Sequence, residues 1–118
     1  MLDNSILADM RDPLKPADLH VLLALAPGAL HGYALVQRIE EESDGRIRML
    51  PGNLYAVLRR LELEGLLCPA RKAPGPDEDQ RRRYYELTAE GRHTLDDEAR
   101  RMSALSERVR AALGSESG

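Results

Sequence analysis

The sequence predicts a mainly α fold with a small β-hairpin. Three observations carry this: apolar residues cluster at helical spacing in three short segments before residue 65, the period then changes in two runs separated by a segment of Pro, Gly and acid, and a long helical pattern closes the chain. With 118 residues there is room for one compact domain and a helix outside its core. Four Tyr, no Phe and no Trp leave Leu, Ile, Val and Ala to build that core.

The first stretch, LDNSILADMRD, predicts an N-terminal helix within residues 1–13 that exposes Leu2, Ile6, Leu7 and Met10, with Pro13 and Pro16 breaking it. It is too short to stand alone. Asp18 is expected to cap a helix through LHVLLALA, which is apolar on most sides and therefore buried, and Pro27-Gly28 ends it. A further helix starts near HGY, carries Leu35, Val36 and Ile39 at helical spacing, and stops at Gly45. Pro51 suits the first position of the next, because its missing N–H would have no partner there. Leu54, Leu58 and Leu61 mark that helix's buried stripe and Gly65 its stop.

LLCPARK and RRRYYELT then read as strands joined by the loop APGPDEDQ. Alternation sets Arg83, Tyr85 and Leu87 on one face and Arg82, Tyr84 and Glu86 on the other. Thr88 caps the final helix, whose Leu95, Ala99, Met102, Leu105 or Ser106, Val109 and Leu113 approximate a coiled-coil seam. The tail GSESG has the composition of a disordered end.

Three helices followed by a hairpin is the order of a winged helix-turn-helix domain, in which the third helix enters the major groove and the wing touches the flanking backbone. The expected organisation is an N-terminal dimer-contact helix at 1–13, a winged helix-turn-helix at 14–88, a C-terminal dimerisation helix at 89–113 and a tail at 114–118. Fold order alone leaves a second reading open, since winged helices also serve as protein-interaction modules without DNA.

The formal net charge is −3, which argues at first against a nucleic-acid partner. The distribution along the chain points the other way. Residues 1–44 hold 8 acidic and 3 basic side chains, residues 45–85 hold 5 and 9, and residues 86–118 hold 7 and 5, so an electropositive middle lies between acidic flanks. Chance clustering of surface charge is the bland account of the same pattern.

In the third helix, spacing of three, four and seven from Asn53 gathers Ala56, Val57 and Arg60 opposite the leucine stripe. Asparagine pairs bidentately with adenine, arginine with guanine, and small apolar side chains meet a thymine methyl. Arg59, Arg71, Lys72, Arg81, Arg82 and Arg83 are the cations that would contact phosphates. A solvated helix face and a solubilising charge run are the structural alternatives. Asp77, Glu78 and Asp79 at the loop tip would repel a backbone, so contact is expected at the strand ends. His31, Gly32 and Tyr33 open the second helix, where free N–H groups and a tyrosine hydroxyl would meet a phosphate or, for His31, where the side chain anchors the helix.

No GxSxG, Walker loop, HExxH or CxxC occurs, and Cys68 and the histidines at 20, 31 and 93 lack metal-ligand spacing, so neither enzyme nor cofactor is expected. Cys68 cannot form an internal disulfide and reads as a small buried hydrophobe. No run of about 18 apolar residues and no secretory leader is seen, so the expected location is the cytoplasm and no membrane partner is expected.

HGYALVQRI, PGNLYAVLRRLELEGLL and RRRYYELTAEGRHTL, in that order over about residues 19–95, resemble the PadR family of bacterial transcriptional regulators, in its small subclass with one C-terminal helix. The resemblance implies a winged-helix homodimer that represses by occupying a palindromic operator on double-stranded DNA, with the terminal helices as dimer interface. It implies Tyr33 and Tyr55 near the DNA backbone, Asn53 to Arg60 on the recognition helix and Arg81 to Arg83 on the wing. Ile6, Leu7 and Met10 would then meet Leu95, Ala99, Met102, Leu105 and Val109 of a second copy. The resemblance allows a small-molecule effector as a further partner; some relatives hold flat aromatic drugs between interface tryptophans, and this chain has no Trp. Three departures stand out: Leu50 where relatives carry a capping Ser or Thr, Ala56 where a proline often follows LY, and Pro69 within the first wing strand.

Overall fold

The computed structural model describes residues 12–70 and 83–114. The N-terminal residues Ile6, Leu7 and Met10, the wing residues Arg71, Lys72, Arg81 and Arg82 with their loop, and most of the tail lie outside those residues. In chain order the elements are α1 (Pro16–Leu25), β1 (Leu30–His31), α2 (Gly32–Glu42), α3 (Pro51–Leu63), β2 (Leu67–Pro69), β3 (Tyr84–Leu87) and α4 (Ala89–Ala112).

Helix α1 starts three residues earlier than expected. Lys15 is its N-cap without a side-chain bond, Pro16 takes the first position, and Asp18 sits in the first turn, so Asp18 is not the cap. Its buried Val21, Leu22, Ala24 and Leu25 meet Leu35 and Ile39 of α2 and Leu54, Leu58 and Leu61 of α3 in one core cluster. A chain with so few aromatics therefore holds its three-helix centre by aliphatic packing, each fully buried side chain contributing about 1.5–3 kcal/mol before entropy is counted.

The sheet has three strands in the order β1-β3-β2, not two. Leu30 and His31 pair antiparallel with Tyr85 and Tyr84, while Leu67, Cys68 and Pro69 pair with Leu87, Glu86 and Tyr85. Two residues are too few for an alternation signal, which hides β1 in the approach to HGY. Tyr84 and Tyr85 are both buried, one against His31 and the other in the core, so burial on β3 does not follow the polar and apolar alternation of its residues. Pro69 closes an edge strand, where a missing N–H is tolerated.

As expected, Thr88 caps α4 by accepting from the Gly91 N–H at 3.0 Å. The same hydroxyl donates to the Gly65 carbonyl at 2.6 Å, tying the end of the α3–β2 turn to the start of α4. The first half of α4 packs on the core through Thr94, Leu95 and Glu98, and beyond residue 101 every side chain to Leu113 is exposed. Among the described residues no helix is long and apolar enough to cross a membrane.

Candidate nucleic-acid interface

Helix α3 begins where an extended segment meets Pro51. Leu50 is the N-cap, with backbone at φ −74 and ψ 148 and no side-chain bond, in keeping with the missing Ser or Thr at that position. Leu54, Leu58 and Leu61 are buried, which turns Asn53, Tyr55, Ala56 and Arg59 outward. Arg59 is exposed and forms no ion pair among the described residues, so its cation is available to a polyanion.

Two members of the predicted reading face are placed differently. Val57 is half-buried and packs against the core, because it lies three residues from Leu54 and four from Leu61 and so borders the leucine stripe. Arg60 turns back to α1: its Nη2 donates to Asp18 Oδ1 at 2.6 Å and its Nη1 to Asp18 Oδ2 at 3.1 Å, with Nη1 also 3.4 Å from Glu64. The hydrogen bond to Asp18 raises the guanidinium pKa above its usual value against the opposing effect of burial. Asp18 is only 5% exposed. Pulling Arg60 away to a base would leave the buried Asp18 carboxylate without its bidentate partner, a loss that opposes the gain from a base contact. In the free chain Arg60 is therefore held by α1 and does not stand open beside Asn53 as the spacing predicts.

Tyrosines join α2, α3 and the sheet. A Cβ on Gly32 would come 2.6 Å from the Tyr55 hydroxyl, so the first residue of α2 must be small for Tyr55 to lie over it. Tyr55 is 51% and Tyr33 67% exposed. Tyr33 accepts a 3.3 Å bond from Gln37 and stacks near His31, whose ring meets Tyr84 edge-on at 5.3 Å. His31 also serves as N-cap of α2, its Nδ1 accepting from the Ala34 N–H at 3.2 Å, which is the anchoring role. On β3, burial pushes the Tyr85 phenol above its usual pKa, with nearby Arg83 opposing and Tyr55 and Glu62 adding to the rise. Arg83 itself is exposed and its guanidinium lies 5.6 Å from the Tyr85 ring centre.

Two exposed cations fall outside the sequence-derived set. In RIRML, Ile47 and Met49 turn inward while Arg46, Arg48 and Leu50 turn outward, and Arg48 lies 3.8 Å from Glu40. The sequence carries a signal for this: a residue before proline is held extended, and extended backbone alternates its side chains. Leu63, 82% exposed, extends the open face of α3 at its far end. Cys68 is half-buried on β2 rather than fully enclosed, because its strand lies at the sheet edge. Among the described residues no group of three His, Cys, Asp or Glu could hold a metal.

Three packed helices, a three-stranded antiparallel sheet and an outward helix face of small, polar and cationic side chains define a winged-helix protein of the transcriptional-regulator class. Residues 21–97 match the Transcriptional regulator PadR-like family, and the chain belongs to that family. It is 35% identical over 99 residues to Transcriptional regulator Rv3488 of Mycobacterium tuberculosis, covering 84% of each chain. It is also 44% identical over 93 residues to an uncharacterized 37.1 kDa protein in transposon TN4556 of Streptomyces fradiae; the match covers 79% of this chain but spans only 25% of that protein. A PadR family regulator from Clostridium difficile has the same fold, with TM-score 0.69 at 21% identity over 85% of this chain and 100% of the other. Bacillus subtilis PadR, solved in complex with operator DNA, gives TM-score 0.58 at 25% identity over 72% of this chain and 47% of that one. The family and Rv3488 are transcriptional regulators rather than enzymes.

Proposed function

We propose that this chain is a sequence-specific DNA-binding repressor that works as a homodimer on a palindromic operator, with release by a small-molecule or other signal. The observation that carries the reading is the surface on which α3 offers Asn53, Ala56 and Arg59 beside Tyr33, Tyr55 and Arg83, each exposed and each on an element tied to the next by the tyrosine contacts. In this reading Asn53 and Ala56 meet base edges, the two tyrosines, Arg59 and Arg83 meet phosphates, and Lys72, Arg81 and Arg82 extend the wing contact. The Bacillus subtilis relative solved with operator DNA supports it.

What α4 leaves open supports dimerisation. Met102, Leu105, Val109 and Leu113 recur at spacings of three and four on an exposed helix, the pattern of a seam that a second helix covers. A groove of about 540 Å³ between α1 and α4, lined by Leu19, Leu23, Leu87, Leu95, Ala99 and Met102 among others, continues the stripe toward the core. A second copy docked there, with Ile6, Leu7 and Met10 contributing, would set two recognition helices about 34 Å apart on successive major grooves. In this reading residues 14–88 are the DNA-binding unit, residues 89–113 and 1–13 the dimer contacts, and the protein acts in the cytoplasm with no cofactor.

The test is selection of bound fragments from the host's genomic DNA, followed by affinity measurements over a range of salt. Recovery of a palindromic site whose affinity falls steeply with salt is expected, because phosphate contacts release counterions. A chain that shifts no duplex even in dilute buffer, yet binds a protein partner in a salt-tolerant manner, would be an interaction module instead.

A further inference from the structure

Arg60 lies on the helix that the proposed function assigns to base reading, yet its donors are turned to α1. Both Nη atoms are engaged by a carboxylate 42 residues away in sequence, on the first turn of another helix. The rest of the α1–α3 contact is aliphatic, and apolar contact is non-directional: Leu54, Leu58 and Leu61 keep α3 against the core without fixing its roll. A bidentate fork is directional in two distances at once. Glu64, the C-cap of α3, lies 3.4 Å from Nη1 of the same guanidinium and adds a second carboxylate contact. A base-reading helix must keep its side chains within about 0.5 Å and 10–20° of the productive geometry.

Resting on the DNA-binding reading, we propose that the Asp18–Arg60 pair is a positioning lock: it fixes the rotation of α3 on α1 and so sets which base edge Asn53 reaches, while Arg60 itself contacts no base. Arg60 is thus a positioning residue for sequence discrimination, and Asp18, on α1 rather than on α3, shares that role.

The lock is tested with a duplex that the wild-type chain selects from a random library and a scrambled duplex of equal length. Asp18→Asn should weaken binding to the selected duplex roughly tenfold or more, the worth of one misplaced bidentate contact, and leave the scrambled duplex within about twofold, because phosphate contacts do not depend on helix roll. Arg60→Met should do the same. The double variant Asp18→Leu/Arg60→Met replaces the ion pair by an apolar contact that seats the helix again, a swap that folded proteins tolerate, and should bind the selected duplex better than Arg60→Met alone. If a single variant does not fold, the double variant decides: binding near wild-type upholds the lock, and binding no better than an Arg60→Ala/Asp18→Ala control overturns it. Asp18→Asn binding as wild-type while Arg60→Met loses preference at one base pair also overturns it, since Arg60 would then be a direct reader. A wild-type chain that selects no duplex sinks the DNA reading separately. The lock is then judged in the free protein, where distinct, slowly exchanging Arg60 guanidinium resonances that vanish in Asp18→Asn are expected and averaged ones in the wild type refute it.

Discussion

Gly91, in the first turn of α4, lies directly against the carbonyl oxygen of Leu66. A Cβ at position 91 would overlap that oxygen and the carbonyl carbon behind it, and the obstacle is backbone rather than a side chain that could swing away. The same carbonyl accepts from the Thr88 N–H at 3.2 Å, so α4 cannot retreat without breaking its own anchor. Glycine at 91 is therefore a packing requirement at the joint between the sheet and the helix assigned to dimerisation.

Gly91→Ala should destabilise the fold by about 1–3 kcal/mol or more, the usual cost of overpacking, even though alanine is the better helix former. Chemical denaturation of the two proteins measures it. Equal midpoints would show that α4 yields without strain.

Thr88→Ala removes both the cap on Gly91 and the bond to the Gly65 carbonyl. A loss of about 1–2 kcal/mol is expected for the cap. Thr88→Ser keeps the hydroxyl and should recover most of it in the same denaturation assay.

Tyr85 supplies a pH signature. Its folded pKa is raised, chiefly by burial, so the folded state favours the protonated phenol. Its stability contribution is complete below the ordinary tyrosine value of 10.0 and is lost as pH climbs past that value toward the raised folded one. Thermal melts of the wild type above about pH 10 should therefore fall more steeply than those of Tyr85→Phe, with parallel behaviour below about pH 9. Identical slopes on the alkaline side would refute the assignment to this residue.

Arg59→Ala and Arg83→Ala should each weaken binding to selected and unselected duplexes alike and reduce the salt slope by about one. Asn53→Ala, by contrast, should relax preference at one base position with the slope unchanged. Fluorescence anisotropy at several salt concentrations separates the two outcomes.

Leu105→Glu together with Val109→Glu sets charge on the exposed seam of α4. Sedimentation should show the wild type as a dimer and this variant as a monomer whose melting temperature at high dilution matches that of the diluted parent. A wild-type chain that sediments as a monomer at every concentration would remove α4 from the dimer model.

Much of this protein is legible locally. The leucines at 54, 58 and 61, proline at the start of α3, Thr88 as a cap and Gly45 and Gly65 with positive φ at helix ends are each decided by geometry within one or two turns, and each stands where spacing and cap chemistry predict. The order of helices and strands, and with it the winged-helix class, follows from those same short-range rules.

What tertiary structure alone decided is which partner each outward or inward group meets. Arg60 shares its spacing with Asn53, but a buried carboxylate 42 residues earlier claims it. The strand at Leu30–His31 exists because β3 offers an unpaired edge, and Tyr84 is buried because His31 then lies across it. The physical reason is common to all three: periodicity fixes the face of an element, whereas hydrogen bonds and ion pairs between distant segments form only after packing has set those faces against each other.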